Sequence, residues 1–172
     1  MGTKLPDIKW TIRLEVTTRS PKLSEKKIII TIKKILNTTK PLKLPLSRKC
    51  ELGVIITDDQ SIKSLNKKYR GKNKPTDVLS FSMIEGEIPL AESPNLGDLV
   101  ISLPTAIKQS IAYDVNLYQE LLRLMIHGLL HLLGYDHENV SKQEARKMQL
   151  EEERIYEKLV DGSRSLVIGR PR

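Results

Sequence analysis

The chain has three histidines, and all of them fall in the run His127-Gly128-Leu129-Leu130-His131-Leu132-Leu133-Gly134-Tyr135-Asp136-His137. Together with Leu121, Leu122, Leu124, Met125 and Ile126, the leucines of this run make a helix that is apolar nearly all round, and such a helix has to be buried. A spacing of four turns the second imidazole only about 40° from the first and raises it about 6 Å, so both can reach one ion. His137 lies six residues further on, and a continued helix would carry it about 240° round and about 9 Å along, pointing away. The helix therefore has to end first. Gly134 stands where a left-handed C-terminal cap would end it and fold the chain back towards the same point. Burying two imidazoles among leucines is costly unless their nitrogens are satisfied, and a metal satisfies one nitrogen of each.

Two histidines four apart on an apolar helix are by themselves an ordinary core or surface pair. The third histidine and the glycine turn the pattern into a metal site. Three neutral imidazoles with a free fourth position are the ligand count of a catalytic zinc, whereas a structural zinc is closed by four protein ligands. The same ligand spacing occurs in the long zinc-peptidase motif H-E-x-x-H-x-x-G-x-x-H, where the glutamate after the first histidine is the general base. Here that position is Gly128. Likeness in ligand geometry thus comes with a missing proton acceptor, which argues against peptidase chemistry.

The run from His127 to His137 matches, without a gap, the signature H-G-x-x-H-L-x-G-Y-D-H; in this it resembles the YbeY endoribonucleases, bacterial and organellar rRNA maturation factors. The block from Tyr69 to Phe81, YRGKNKPTDVLSF, is similar to that family's second hallmark, and Leu96 to Ser102, LGDLVIS, to its third. The likeness covers roughly residues 52 to 159, and the first fifty residues carry little of it. It implies a zinc-dependent endoribonuclease acting on single-stranded regions of rRNA precursors, in small-subunit rRNA 3′-end maturation and ribosome quality control. The implied partners are the rRNA precursor, the ribosome or its small-subunit proteins, and a ribosome-associated GTPase.

Phosphodiester cleavage builds negative charge that needs a fixed donor, and the planar fork of arginine suits it. On its own Arg70 would be a solvated loop charge. Matched to the position of the family's essential arginine, it joins His127 in the expected catalytic set, with His127, His131 and His137 as metal ligands. Lys72 and Lys74 are expected to bind RNA. Asp136 is expected either to orient a ligand ring from behind or to form a surface ion pair. Asp77 and Ser80 are expected to line the cleft, and Glu120 is expected to be a helix-surface charge. Zinc is the expected ion, although imidazole also suits other divalent transition metals. Two other classes stay open: a zinc hydrolase with a peptide or small-molecule substrate, and a non-catalytic ribosome assembly factor with a structural zinc. The latter needs a fourth ligand, for which Cys50 is the alternative to its ordinary role as a small buried hydrophobe.

The net charge of +8 is unevenly placed. Residues 1–50 hold 13 Lys or Arg against 3 Asp or Glu, and residues 51–172 hold 16 against 18. Lys26, Lys27, Lys33 and Lys34 therefore form either a solvated face or a surface that draws a polyanion. With one Trp and one Phe in the chain, a stacking platform for bases is not expected, and backbone contacts and shape would dominate. A single cysteine excludes an internal disulfide and fits a reducing compartment. No segment reaches the about 20 apolar residues of a membrane span, and no secretory or transit signal is recognised, so a cytoplasmic protein without membrane contact is expected.

The chain length fits one α+β domain over residues 1–160, a small sheet packed against a central buried metal-binding helix and further helices, with 161–172 as a flexible tail. Strands are predicted at 8–16, 51–56, 78–82 and 99–102. Helices are predicted at 23–36 with Ser24 as N-cap, from a Thr57/Gln60 capping box through Tyr69, at 104–114, from Asn116 through the histidines, and from Ser141 to about Leu159. Residues 38–47, 70–77 and 85–95 are read as connecting loops.

Overall fold

The computed structural model describes residues 8–18, 23–39, 49–83, 95–137 and 140–160. The elements run β1 (Lys9–Val16), α1 (Glu25–Thr38), β2 (Lys49–Thr57), α2 (Asp59–Arg70), β3 (Val78–Ser82), β4 (Asn95–Ser102), α3 (Leu103–Ala112), α4 (Leu117–Leu132) and α5 (Lys142–Leu159). The four strands form one mixed sheet in the order β1-β2-β4-β3. β1 pairs parallel with β2 and β2 parallel with β4, while β3 closes the sheet antiparallel to β4. The fold is the expected small sheet with a buried helix packed on it, and its three parallel strands make it a mixed α/β arrangement.

Alternation along the strands divides the sheet into two faces. Leu52, Val54 and Ile56 of β2 with Leu99 and Ile101 of β4 point to the larger core, shared with Ile28, Ile32 and Ile35 of α1, most of α4, and Met148 and Ile155 of α5. Val100 and Leu79 point the other way and meet Ile62 of α2, with Ile55, Leu65 and Phe81 around them. The sheet is thus covered on one face by α1, α4 and α5 and on the other by α2. The Ile28-Ile29-Ile30 run, whose β-branched side chains would also suit a strand, is helical because Ser24 caps it, its Oγ accepting from the Lys27 N–H at 3.3 Å, and because Ile28, Ile32, Ile35 and Leu36 fall on one buried face.

Several boundaries differ from expectation. Helix α2 is capped by Asp58, whose Oδ1 accepts from the Ser61 N–H at 2.7 Å. Thr57 instead ends β2, buried, with its hydroxyl bonded to that of Thr17 at 2.8 Å. An aspartate one residue later outcompetes the threonine because Thr57 is still held in the sheet, opposite Ser102. Arg70 is the last residue of α2, which Gly71 ends in a left-handed conformation, φ 68°; the helix reaches one residue into what reads as loop. β2 and β4 extend beyond the predicted strands, to Lys49 and Asn95, because pairing with neighbours recruits residues with weak strand signals of their own. α1 runs to Thr38, so the predicted connector at 38–47 begins later, and most of it lies outside the described residues, as do residues 85–94 and 161–172. The capping boxes at Asn116/Gln119 and Ser141/Glu144 are formed as predicted. No helix of the described residues is long and apolar enough to cross a membrane.

One polar cluster ties α2 to the start of α3. Asp59 accepts hydrogen bonds from Ser102 Oγ at 2.5 Å, Thr105 Oγ1 at 2.6 Å and Lys108 Nζ at 3.1 Å. The two hydroxyls first, and the lysine after them, hold its carboxyl at about 2, below the usual aspartate value of about 3.9. A depressed carboxylate pKa stabilises the folded state above pH 4, and that contribution is lost as the pH falls towards 2. Partial exposure weakens the effect, so Asp59→Asn should lower stability at pH 7 by about 1 kcal/mol. Urea unfolding at pH 7 and pH 3 checks it: the gap between the two proteins should narrow at the lower pH.

Candidate metal centre

Helix α4 is enclosed because it carries apolar residues on nearly every side, and Leu121, Leu124, Ile126, Leu129 and Leu130 are all buried. Gly128 is the point of closest approach to the sheet. A side chain there would run into Leu99 of β4 and crowd Val78 of β3, so glycine lets the helix lie against the sheet edge beside the histidines. The other end of the helix is closed by a Schellman turn: the Tyr135 N–H reaches the Leu130 carbonyl at 3.0 Å and the Gly134 N–H that of His131 at 3.1 Å. Gly134 takes φ 97°, which L side chains rarely adopt. Buried Tyr135 follows, and the chain turns back to bring in His137.

The three imidazoles meet as the spacing predicts. Their ring centroids are 4.8, 5.1 and 5.0 Å apart, and each offers a nitrogen within 4.8 Å of the others. Burial, followed by the neighbouring His127 and His137, lowers the pKa of His131 to about 4, so at neutral pH it is in the uncharged form that binds metal. Glu152 of α5 touches His127 Nδ1 at 2.6 Å. A carboxylate on Nδ1 fixes the ring and leaves Nε2 for a metal, the usual outer partner of a ligating histidine. The cluster therefore fits a divalent ion, and zinc suits its all-nitrogen donor set.

Glu152 is the residue that sequence reasoning missed. It sits in a run of three glutamates, which reads as solvated charge. Its signal is its register: it lies four residues after Met148 and three before Ile155, the two buried positions of α5, so a carboxylate stands in the apolar stripe. Asp136 stands at the turn into the third histidine: its Oδ1 accepts from the His137 backbone N–H at 2.7 Å and lies 3.9 Å from His131 Nδ1. Glu120 is not a surface charge: it is 1% exposed and lies 3.7 Å from Arg123, because α4 is covered even on its polar side. Cys50 lies in β2 within the large core, apart from the histidine cluster.

A cleft of about 1180 Å³ opens over the histidines and is also lined by Arg70, Lys72, Lys74, Asp77, Ser80 and Asp136. All the expected site residues therefore face one space. The basic loop after α2 is pinned from below. Buried Asn66 donates through Nδ2 to the Lys74 carbonyl at 2.8 Å, and its own carbonyl receives the Lys72 N–H at 3.2 Å. Asp77 fixes the next turn, accepting from the Val78 N–H at 2.9 Å and from Gln109 Nε2 at 3.1 Å.

With that geometry in place, the family model described as Endoribonuclease YbeY matches residues 13–160. The chain belongs to the YbeY endoribonuclease family. An endoribonuclease YbeY of Thermodesulfovibrio yellowstonii is 43% identical over 160 residues, covering 86% of this chain and 98% of the relative. That of Persephonella marina is 48% identical over 109 residues, 63% of this chain and 70% of the relative. A Thermotoga maritima protein whose solution structure is known matches with a TM-score of 0.52 at 26% identity, over 86% of this chain and 91% of that one. With its histidine cluster, the chain is a metal-dependent hydrolase of this family.

Removing either support of the site should show in metal content. His131→Ala should release the ion and lower the melting temperature of the metal-loaded protein, since two imidazoles bind far more weakly than three. Glu152→Gln should keep the fold and weaken metal binding about 10- to 100-fold. Metal analysis after dialysis against graded chelator measures both, and equal retention in all three proteins would refute the site.

Proposed function

We propose that the protein is a zinc-dependent endoribonuclease of the cytoplasm that cuts single-stranded regions of rRNA precursors, in small-subunit 3′-end maturation and ribosome quality control. The rRNA precursor, the ribosome or its small-subunit proteins, and a ribosome-associated GTPase are its partners on this reading. Residues 1–160 act in it as one domain, a reading supported by the single large core that β1, α1, α4 and α5 share. The observation that carries the proposal is the meeting of a three-histidine cluster and a cationic loop in one cleft, with Gly128 where a zinc peptidase keeps its glutamate.

His127, His131 and His137 would hold a divalent ion, which when bound would supply Lewis-acid chemistry towards water and a phosphoryl oxygen. The chain's own groups do the rest. His127 presents Nε2 while Glu152 holds its Nδ1. Arg70 sets its guanidinium on the non-bridging oxygens of the scissile phosphate, where charge grows as water attacks phosphorus and one P–O ester bond breaks. Lys72 and Lys74 hold neighbouring phosphates. Asp136 steadies the turn that delivers His137.

Arg70→Ala should slow single-turnover cleavage of single-stranded RNA by about 100-fold or more while metal content and fold survive. Arg70→Lys should not restore the full rate, because an ammonium lacks the two-pronged fork. Full recovery of the Ala variant at high RNA concentration would reduce Arg70 to a phosphate anchor. A peptidase is tested by chelator-sensitive peptide turnover, which should be absent. Gly128→Glu should not create it, because the new side chain meets Leu99 and Val78 and destabilises the helix–sheet contact.

A further inference from the structure

Aromatic residues are scarce in the chain, but two of them meet at the cleft. Tyr69, in the last turn of α2, packs edge-to-face with Phe81 of β3, ring centroids 5.1 Å apart and planes at 63°, and both line the cleft that holds the histidines. Phe81 is partly buried against Ile62, Leu79 and Val100, so it is a fixed backing. Tyr69 is 58% exposed. Beyond its edge contact with Phe81 the ring is open to solvent, and it stands next in sequence to Arg70. Lys68 lies over the ring with Nζ 4.9 Å from the centroid, on a flexible stem that an entering group can displace. Cations flank the ring on both sides in sequence, Lys67 and Lys68 before it and Arg70, Lys72 and Lys74 after it. A planar ring framed by phosphate-binding charges is complementary to an unpaired nucleotide, with the base on the ring and the phosphates on the cations. A base held in a duplex cannot offer its face in this way.

We propose that Tyr69, backed by Phe81, forms a nucleobase subsite in which one unpaired base next to the scissile phosphate stacks on the tyrosine ring. The subsite rests on the reading of the substrate as RNA and gives that reading its preference for single strands. It favours no particular base, since every base has a π-face.

The test uses the zinc-loaded full chain and a short single-stranded RNA in which one nucleotide at a time around the cleavage point is made abasic or replaced by 2-aminopurine. In the unmodified protein, one abasic position should raise KM about tenfold, and 2-aminopurine at that position should be quenched on binding. Tyr69→Ala should raise KM about tenfold for the intact RNA, lose the quench, and show no further penalty from the abasic position. Tyr69→Phe and Tyr69→Trp should keep the behaviour of the unmodified protein. Tyr69→Leu, which retains an apolar contact with Phe81, should behave as the Ala variant does. If Tyr69→Leu binds normally, or if Tyr69→Ala keeps the abasic penalty at every position, the subsite is wrong while the nuclease reading stands. If the unmodified protein quenches the probe at one position but cleaves no RNA, the subsite stands and the nuclease reading falls.

Discussion

Everything in the site depends on how closely helix α4 can approach the sheet. At Gly128 the helix lies directly on Leu99 and Val78, and this contact sets the distance between the histidines and β3, the edge strand that forms the facing wall of the cleft. A larger residue would push the helix outwards and carry His127 and His131 away from Arg70 at the end of α2 and from Lys72 and Lys74 on the loop after it. The position at which a zinc peptidase places its base is here spent on packing. That exchange is physical rather than a matter of likeness: one position cannot both touch the sheet and hold a carboxylate over the metal.

The helix end is the second constraint. Three imidazoles come together only because the chain reverses at Gly134, and the reversal satisfies the last helix carbonyls as it turns. His137 is thereby placed by backbone hydrogen bonds, whereas His131 is placed by the helix and His127 by the helix and Glu152 together. Three ligand positions thus have three different supports within the chain. The large core beneath them is built from α1, α4, α5 and the sheet, and the first two histidines stand on the helix that supplies much of it.

What the sequence made legible follows the range of the interactions concerned. Features set by neighbours in the chain could be read directly: the Ser24 cap, the two capping boxes, the glycine turn and the four-residue spacing of the first two histidines. Features set by distant packing could not. Glu152 and Glu120 look alike as helical glutamates, yet one reaches a ligand histidine from another helix and the other is enclosed beside Arg123. Thr57 looks like a better cap than it is because its place in β2 is decided by pairing with β4. Arg70 reads as a loop residue, but its position at the end of α2, just before Gly71, gives its backbone a fixed direction that a loop would not.

The low aromatic content misleads for the same reason. Composition counts residues, and recognition depends on where they stand. Tyr69 and Phe81 are twelve positions apart in the chain, one ending a helix and the other in the edge strand, and only the packing of α2 on that face of the sheet brings their rings into contact. The basic N-terminal third shows the converse. Its lysines dominate the charge of the chain, yet Lys27 lies over the Tyr118 ring at 4.0 Å, and none of the residues that line the histidine cleft comes from α1. Long-range attraction falls off within about 10 Å at moderate salt, so the described lysines of α1 can gather a polyanion near the molecule but are not placed to hold a phosphate over the histidines. On the proposed reading, positioning falls to the few cations beside the cleft, of which Lys72 and Lys74 stand on the loop that Asn66 pins, and these are hardly visible in the net charge.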